Sequence, residues 1–138
     1  MSEIVRADVW LHGKLSVDAT LTAAVSTRIY SYLAPSGTTF PFVVYAFQGG
    51  ADVSAIGAIR IMNSGLYQVK AVGQGNSMVA VEAIANRIDA LLHGVTGTVS
   101  GGVILACVRE QPLAYVENSN GIRYNHLGGL YRIFIQSA

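Results

Sequence analysis

Apolar residues recur along this chain with two different periods, and the change from one to the other marks out helices and strands. Between Glu3 and Leu15, Ile4, Val5, Val9, Trp10 and Leu11 fall at helical spacing, with Arg6, Asp8 and His12 toward another face. A first helix is predicted there, with Trp10 as the core anchor that joins it to a sheet. Asp18 is placed to cap a second, short helix carrying Leu21, Ala24 and Val25. After Thr27-Arg28-Ile29-Tyr30 comes a segment punctuated by Pro35, Gly37 and Pro41, which reads as an ordered loop. Phe42 to Phe47 is continuously apolar and rich in β-branched and aromatic residues, the pattern of a strand buried on both faces.

Gly49-Gly50-Ala51-Asp52 reads as a break. Two further strands, Ala58 to Met62 and Leu66 to Val72, are predicted to join as a hairpin at Asn63-Ser64-Gly65. In the second of them Tyr67, Val69 and Ala71 share one face, while Gln68 and Lys70 mark the other as wet or as a polar contact. From Ser77 to Leu92 an apolar stripe of Val81, Ile84, Ala85, Ile88, Leu91 and Leu92 opposes Glu82, Asn86 and Asp89, with Gly94 placed to end the helix. The last third predicts two strands, Val103 to Arg109 with a continuation beyond Pro112, and Gly129 to Gln136. Between them a polar loop, Glu117 to His126, carries Arg123 and Tyr124, residue types that supply much of the energy at interfaces. These elements predict an α+β fold: one domain, residues 1–138, with a single mixed or mainly antiparallel sheet of about five strands flanked by helices.

Composition adds a surface poor in charge. Charged residues make up 12% of the chain and apolar ones 51%, against about 25% charged in an average soluble protein. So few charges on a chain this apolar point to a surface partly covered by copies of itself or by other proteins. The net charge is +1 and the nine basic residues are spread without a cluster, which excludes the usual footprint of sequence-specific nucleic-acid binding. The amino-terminal stretch lacks the basic flank and apolar run of a signal peptide, and the apolar stretch Ala90 to Val108 is interrupted too often to be a membrane span.

Candidate chemistry is sparse. Gly73-Gln74-Gly75-Asn76-Ser77-Met78 lies between a strand and a helix, where a dinucleotide turn would be, but Met78 occupies the third glycine position. It reads as a plain turn with Asn76 or Ser77 as helix cap. His12, His93 and His126 are far apart and have no second ligand at zinc spacing. Cys107 sits in an apolar strand, where a thiol behaves as a small buried hydrophobe. No catalytic, metal-binding or cofactor-binding residue is assigned. The residues left for function are candidate partner contacts: Gln68, Lys70, Glu117, Arg123, Tyr124 and His126.

Thr27-Arg28-Ile29-Tyr30, then Ala34-Pro35, then Phe40-Pro41-Phe42-Val43-Val44-Tyr45 resemble the segment common to the phage tail terminator or tail completion proteins. The likeness continues through the alternating strand, the long helix and the final strand pair. One departure is the uncharged run from Ile29 to Ala51. The resemblance implies a structural virion protein and no catalytic residues. It implies a ring, usually of six copies, at the head-proximal end of the tail tube, which ends tube polymerisation and offers a surface for head joining. Its implied partners are itself, the major tail tube protein and head-tail connector proteins, with DNA passing through the ring without sequence-specific binding. The implied location is the virion tail, after assembly in the host cytoplasm. A different head-tail connector component, or a small host binding module, is the alternative.

Overall fold

The computed structural model describes residues 2–137 and contains three helices and one six-stranded sheet. In chain order these are α1 (Glu3–Ser16), α2 (Ala19–Val25), β1 (Ile29–Ser31), β2 (Phe42–Ser54), β3 (Arg60–Gln74), α3 (Val79–Leu92), β4 (Val95–Val99), β5 (Gly102–Ser119) and β6 (Ile122–Ser137). The sheet runs β1-β2-β3-β6-β5-β4; β1 lies parallel to β2 and every other neighbouring pair is antiparallel. The α+β class and the single mixed sheet agree with the sequence pattern.

α1 and α2 begin where a cap side chain satisfies free amide groups, whereas the cap position of α3 is Met78 and makes no such bond. Ser2 Oγ accepts from Val5 N–H at 3.3 Å, and Asp18 Oδ2 accepts from Leu21 N–H at 2.8 Å. Ser77 Oγ accepts from Val79 N–H at 3.2 Å, just ahead of α3. Asp18 also receives two bonds from Arg87 on α3, 2.9 Å from Nε and 2.6 Å from Nη2, which locks the short α2 onto the long helix. The Arg87 bonds, and then the Leu21 amide, hold the Asp18 carboxyl down at about 2. A depressed carboxylate contributes stability above its unfolded value of about 3.9 and loses it as the pH falls toward the folded value. Thermal unfolding from pH 5 to pH 2 should therefore show a fall in Tm below about pH 4, and Asp18→Asn should flatten it.

The helices cover one sheet face. Leu11, Leu15, Leu21, Val25, Ile88 and Leu92 meet Val43, Tyr67, Val69, Ile104, Ile133 and Ile135, all buried. Two of the largest fully buried residues, Tyr67 and Tyr131, face each other across β3 and β6 and differ in how their hydroxyls are served. Tyr131 Oη–H donates to Asp89 Oδ1 at 3.0 Å, whereas the Tyr67 hydroxyl has no hydrogen-bond partner. Removing a bonded donor to a carboxylate costs about 1.5–3 kcal/mol, while removing an unsatisfied buried hydroxyl is close to neutral. Chemical denaturation should therefore find Tyr131→Phe destabilised and Tyr67→Phe unchanged or stabilised.

Three expectations are corrected. Gly49-Gly50-Ala51-Asp52 does not break the strand and Asn63-Ser64-Gly65 is not a turn: both lie inside one long hairpin, paired Gly50 with Gly65 and Ala51 with Ser64. The hairpin turns instead at residues 55–59, where Ala55 N–H donates to Ile59 O and Gly57 and Ala58 both have positive φ. A bulge between Phe47 and Gly49 absorbs the glycines, and Asn63 Nδ2 donates across the pair to Asp52. The supposed loop Glu117 to His126 is likewise paired strand on both sides of a two-residue turn, Asn120-Gly121, with φ of 54° and 78°. Finally, β1 and β4 are strands that the pattern did not disclose, and two of the expected strands are parts of β3.

Candidate partner interface

The sheet face away from the helices is where the candidate residues gather. Alternation along β3 puts Gln68, Lys70 and Val72 there, and the register across β6 adds Tyr124 and His126. The β5 pairing adds Glu117 opposite Tyr124 and Tyr115 opposite His126. Five of the six expected contact residues thus share one face. Arg123 does not: it alternates to the opposite side, where its Nε donates to Asn125 Oδ1 at 2.7 Å.

On this face Tyr115 and His126 stack, with ring centroids 4.2 Å apart and planes 9° from parallel. Lys70 Nζ donates to the Tyr115 hydroxyl and lies 4.9 Å from its ring centroid, and Glu117 Oε1 sits 3.1 Å from His126 Nε2. Burial first, then Lys70, pushes the His126 imidazole below its ordinary value, while Glu117 pulls the other way. The imidazole stacks on Tyr115 and its Nε2–H donates to the Glu117 carboxylate. Beside it the loop from Tyr32 to Pro41 folds over the sheet. Phe40 lies 5.1 Å from Phe42 and 5.4 Å from Tyr124 between ring centroids, and Tyr30, Phe42, Val44 and Val72 complete a small second core. Arg28 Nε donates to Pro41 O at 3.0 Å and Tyr30 Oη bonds Thr38 Oγ1 at 2.8 Å, so the loop is ordered.

Sequence reasoning missed Tyr115 and Asn125. Asn125 is fully buried and donates to the carbonyls of Gly75 and Ser77, which ties the β3–α3 turn to the β6 strand. The Gly-rich turn at 73–78 is therefore held from within the fold, and Gly73 lies against Val81. His93 lies beyond α3, where its Nδ1 accepts from Arg109 N–H at 3.0 Å. Cys107 is buried, and burial pushes its thiol up to about 12. No group of three or more His, Cys, Asp or Glu that could hold a metal ion occurs among the described residues, and no helix there is long and apolar enough to cross a membrane.

What stands out is how much apolar surface the strands leave uncovered. Along β5, Val103, Leu105, Val108, Tyr115 and Val116 are exposed, as is Ile122 at the start of β6, and the β2–β3 turn carries Ile56, 99% exposed, and Ile59. The sheet thus carries its helices on one face and exposed apolar residues along its long hairpins. The model of one family, tail completion protein gp17, matches residues 10–136. The chain belongs to that family. Among solved structures, a chain of the "Virion of native gene transfer agent (GTA) particle" is similar in fold, with a TM-score of 0.73, 18% identity and 92% of each chain covered. No curated protein matches the chain.

Proposed function

We propose that this tail completion family member is a structural component of a phage-like tail, forming a ring at the head-proximal end of the tail tube. The ring ends tube polymerisation and provides the surface on which the head joins. The observation that carries this reading is the family match over nearly the whole chain, and the long hairpins with exposed apolar residues supply surface for several partners. Partners in this reading are further copies of the chain, six in a closed ring, the major tail tube protein and the head-tail connector proteins. DNA passes through the opening, and the scattered basic residues are in keeping with passage without sequence-specific binding. The location is the virion tail, after assembly in the host cytoplasm.

The helix-free face, with Gln68, Lys70, Tyr115, Glu117, Tyr124 and His126, is a partner contact in this proposal, since its aromatic and charged groups sit on the side of the sheet that the helices leave uncovered. Arg123 faces away from it and is assigned to the fold. Omitting the chain from a producing particle should yield overlong tubes and unjoined heads by electron microscopy. The double change Tyr115→Ala with Tyr124→Ala should give the same defect while the isolated subunit stays folded. Tails of normal length joined to heads in the absence of the chain would overturn the reading, as would a tail reconstruction with a single copy off the tail axis.

A further inference from the structure

Both edges of the sheet are covered only in part, and the uncovered stretches lie at opposite ends. The short β1 pairs only with Val43 to Tyr45, so β2 is open from there to its end. The short β4 pairs only with Gly102 to Cys107 and His93 Nδ1 takes the Arg109 amide, so β5 is open from Glu110 to Ser119. A long open strand edge is a template for another strand. Pro112 blunts one point of the β5 edge by lacking a donor, and Gly49, Gly50 and Ala51 leave the β2 edge without bulk.

We infer that these two edges pair with each other between neighbouring copies, β5 of one subunit against β2 of the next, antiparallel, with Leu113 opposite Ala51. This rests on the ring reading and specifies its contact. Strand sense agrees, because β2 and β5 run in opposite directions within the sheet. Length agrees as well. Gln111 to Ser119 is regular beyond the bulge between Arg109 and Gln111, and Gly49 to Val53 lies between the bulges at Phe47/Gly49 and Val53/Ser54, so the shorter regular segment of β2 fits within that of β5. Faces agree in this register, since Leu113 and Ala51 both lie on the helix-free side, and a shift by one residue would put every side chain on the wrong face. Sizes agree too, with Tyr115 set against Gly49, Ala114 against Gly50 and Leu113 against Ala51. The paired segments carry a single charge, Asp52.

Closure follows from the offset. Leu113 is level with Gly128, Lys70 and Val44, whereas Ala51 is level with Ser64, six residues from Lys70 along β3. Six residues rise ~20 Å and four strands span ~19 Å, so a strand tilt of ~45° brings both edges to one height and lets the contact close by rotation. Without tilt the same contact would climb into an open helix.

Cysteine trapping tests the register. Directly opposite residues in an antiparallel pair have Cα atoms about 4.5–5.5 Å apart, inside the range a disulfide spans. Particles assembled with the double variant Ala51→Cys and Leu113→Cys, oxidised and run without reductant, should show a ladder of covalent multimers of this chain ending at the ring number. Either single variant should give none, since Cys107 is buried. A second pair in the same register, Val53→Cys with Gln111→Cys, covers the case in which the first variant does not accumulate. Rings visible in the tail but no ladder with either pair, or a single variant linked to a different tail protein, would overturn the contact and leave the ring standing. Tails that lack a ring of this chain would overturn the ring reading itself.

Discussion

Trp10→Ala should lower the unfolding free energy by about 3–5 kcal/mol, the range for removing a buried large aromatic and leaving a cavity. Trp10 is 7% exposed and belongs to the main core, so its burial is nearly complete. Its indole crosses from α1 to the sheet edge and rests on β4, where a Cβ at Gly97 would come within 2.5 Å of Nε1. The truncation thus loosens a helix and an edge strand together. A denaturation midpoint that moved by less than about 1 kcal/mol equivalent would mean that the site collapses to fill the space. Gly97→Ala is the converse test, because the added methyl must push the indole out of its seat; destabilisation by both changes would tie the α1–β4 contact to one packing element.

Gly128→Ala is the second large expectation, and here the cause is backbone. Gly128 on β6 pairs with Lys70 on β3, and a Cβ built on it would overlap Val69 O and lie 2.6 Å from Lys70 Cα. Backbone atoms cannot rotate aside as a side chain would. The two central strands must separate, which disturbs the ladder between Tyr67 and Tyr131 and the stack at His126. A loss above about 4 kcal/mol, or failure to accumulate folded protein, is expected, an effect of the size reserved for severe steric or network damage. Gly121→Ala gives the contrast: nothing lies within 4 Å of its Cβ position, and only its φ of 78° strains an alanine. That change should cost roughly 1 kcal/mol or slightly more. Circular dichroism melts of the two variants side by side decide whether close approach or turn strain dominates in this hairpin.

What the sequence determined by itself was the set of helices and the inward faces. Periodicity at 3.6 is a local property, so the spacing of Val81, Ile84, Ile88 and Leu92 and the cap at Asp18 could be read without knowing any partner, whereas the expected cap of α3 at Asn76 or Ser77 gives way to Met78. The same holds for the alternation of Tyr67, Val69 and Ala71, which the structure buries under the helices. Tertiary structure decided where strands stop. Gly49-Gly50 and Asn63-Ser64-Gly65 look like breaks because each is polar or small by itself. Opposite one another they are what the fold needs: a Cβ at Gly50 would collide with Ser64 O, and one at Gly65 would crowd Tyr67 and Phe47. The Glu117 to His126 segment looks like a loop because it is polar, and Asn120-Gly121 is the one local sign that it turns in two residues. Its tip, residues 117–122, is exposed and needs no apolar alternation, whereas at its base the buried side chains of Asn125 and His126 are polar ones with bonding partners in the fold. The contact face was legible as residue types, Lys70, Glu117, Tyr124 and His126, but not as a site. Bringing Tyr115 onto His126 and setting Arg123 apart depend on register across β5, β6 and β3, and register is fixed by pairing between distant segments rather than by any one of them.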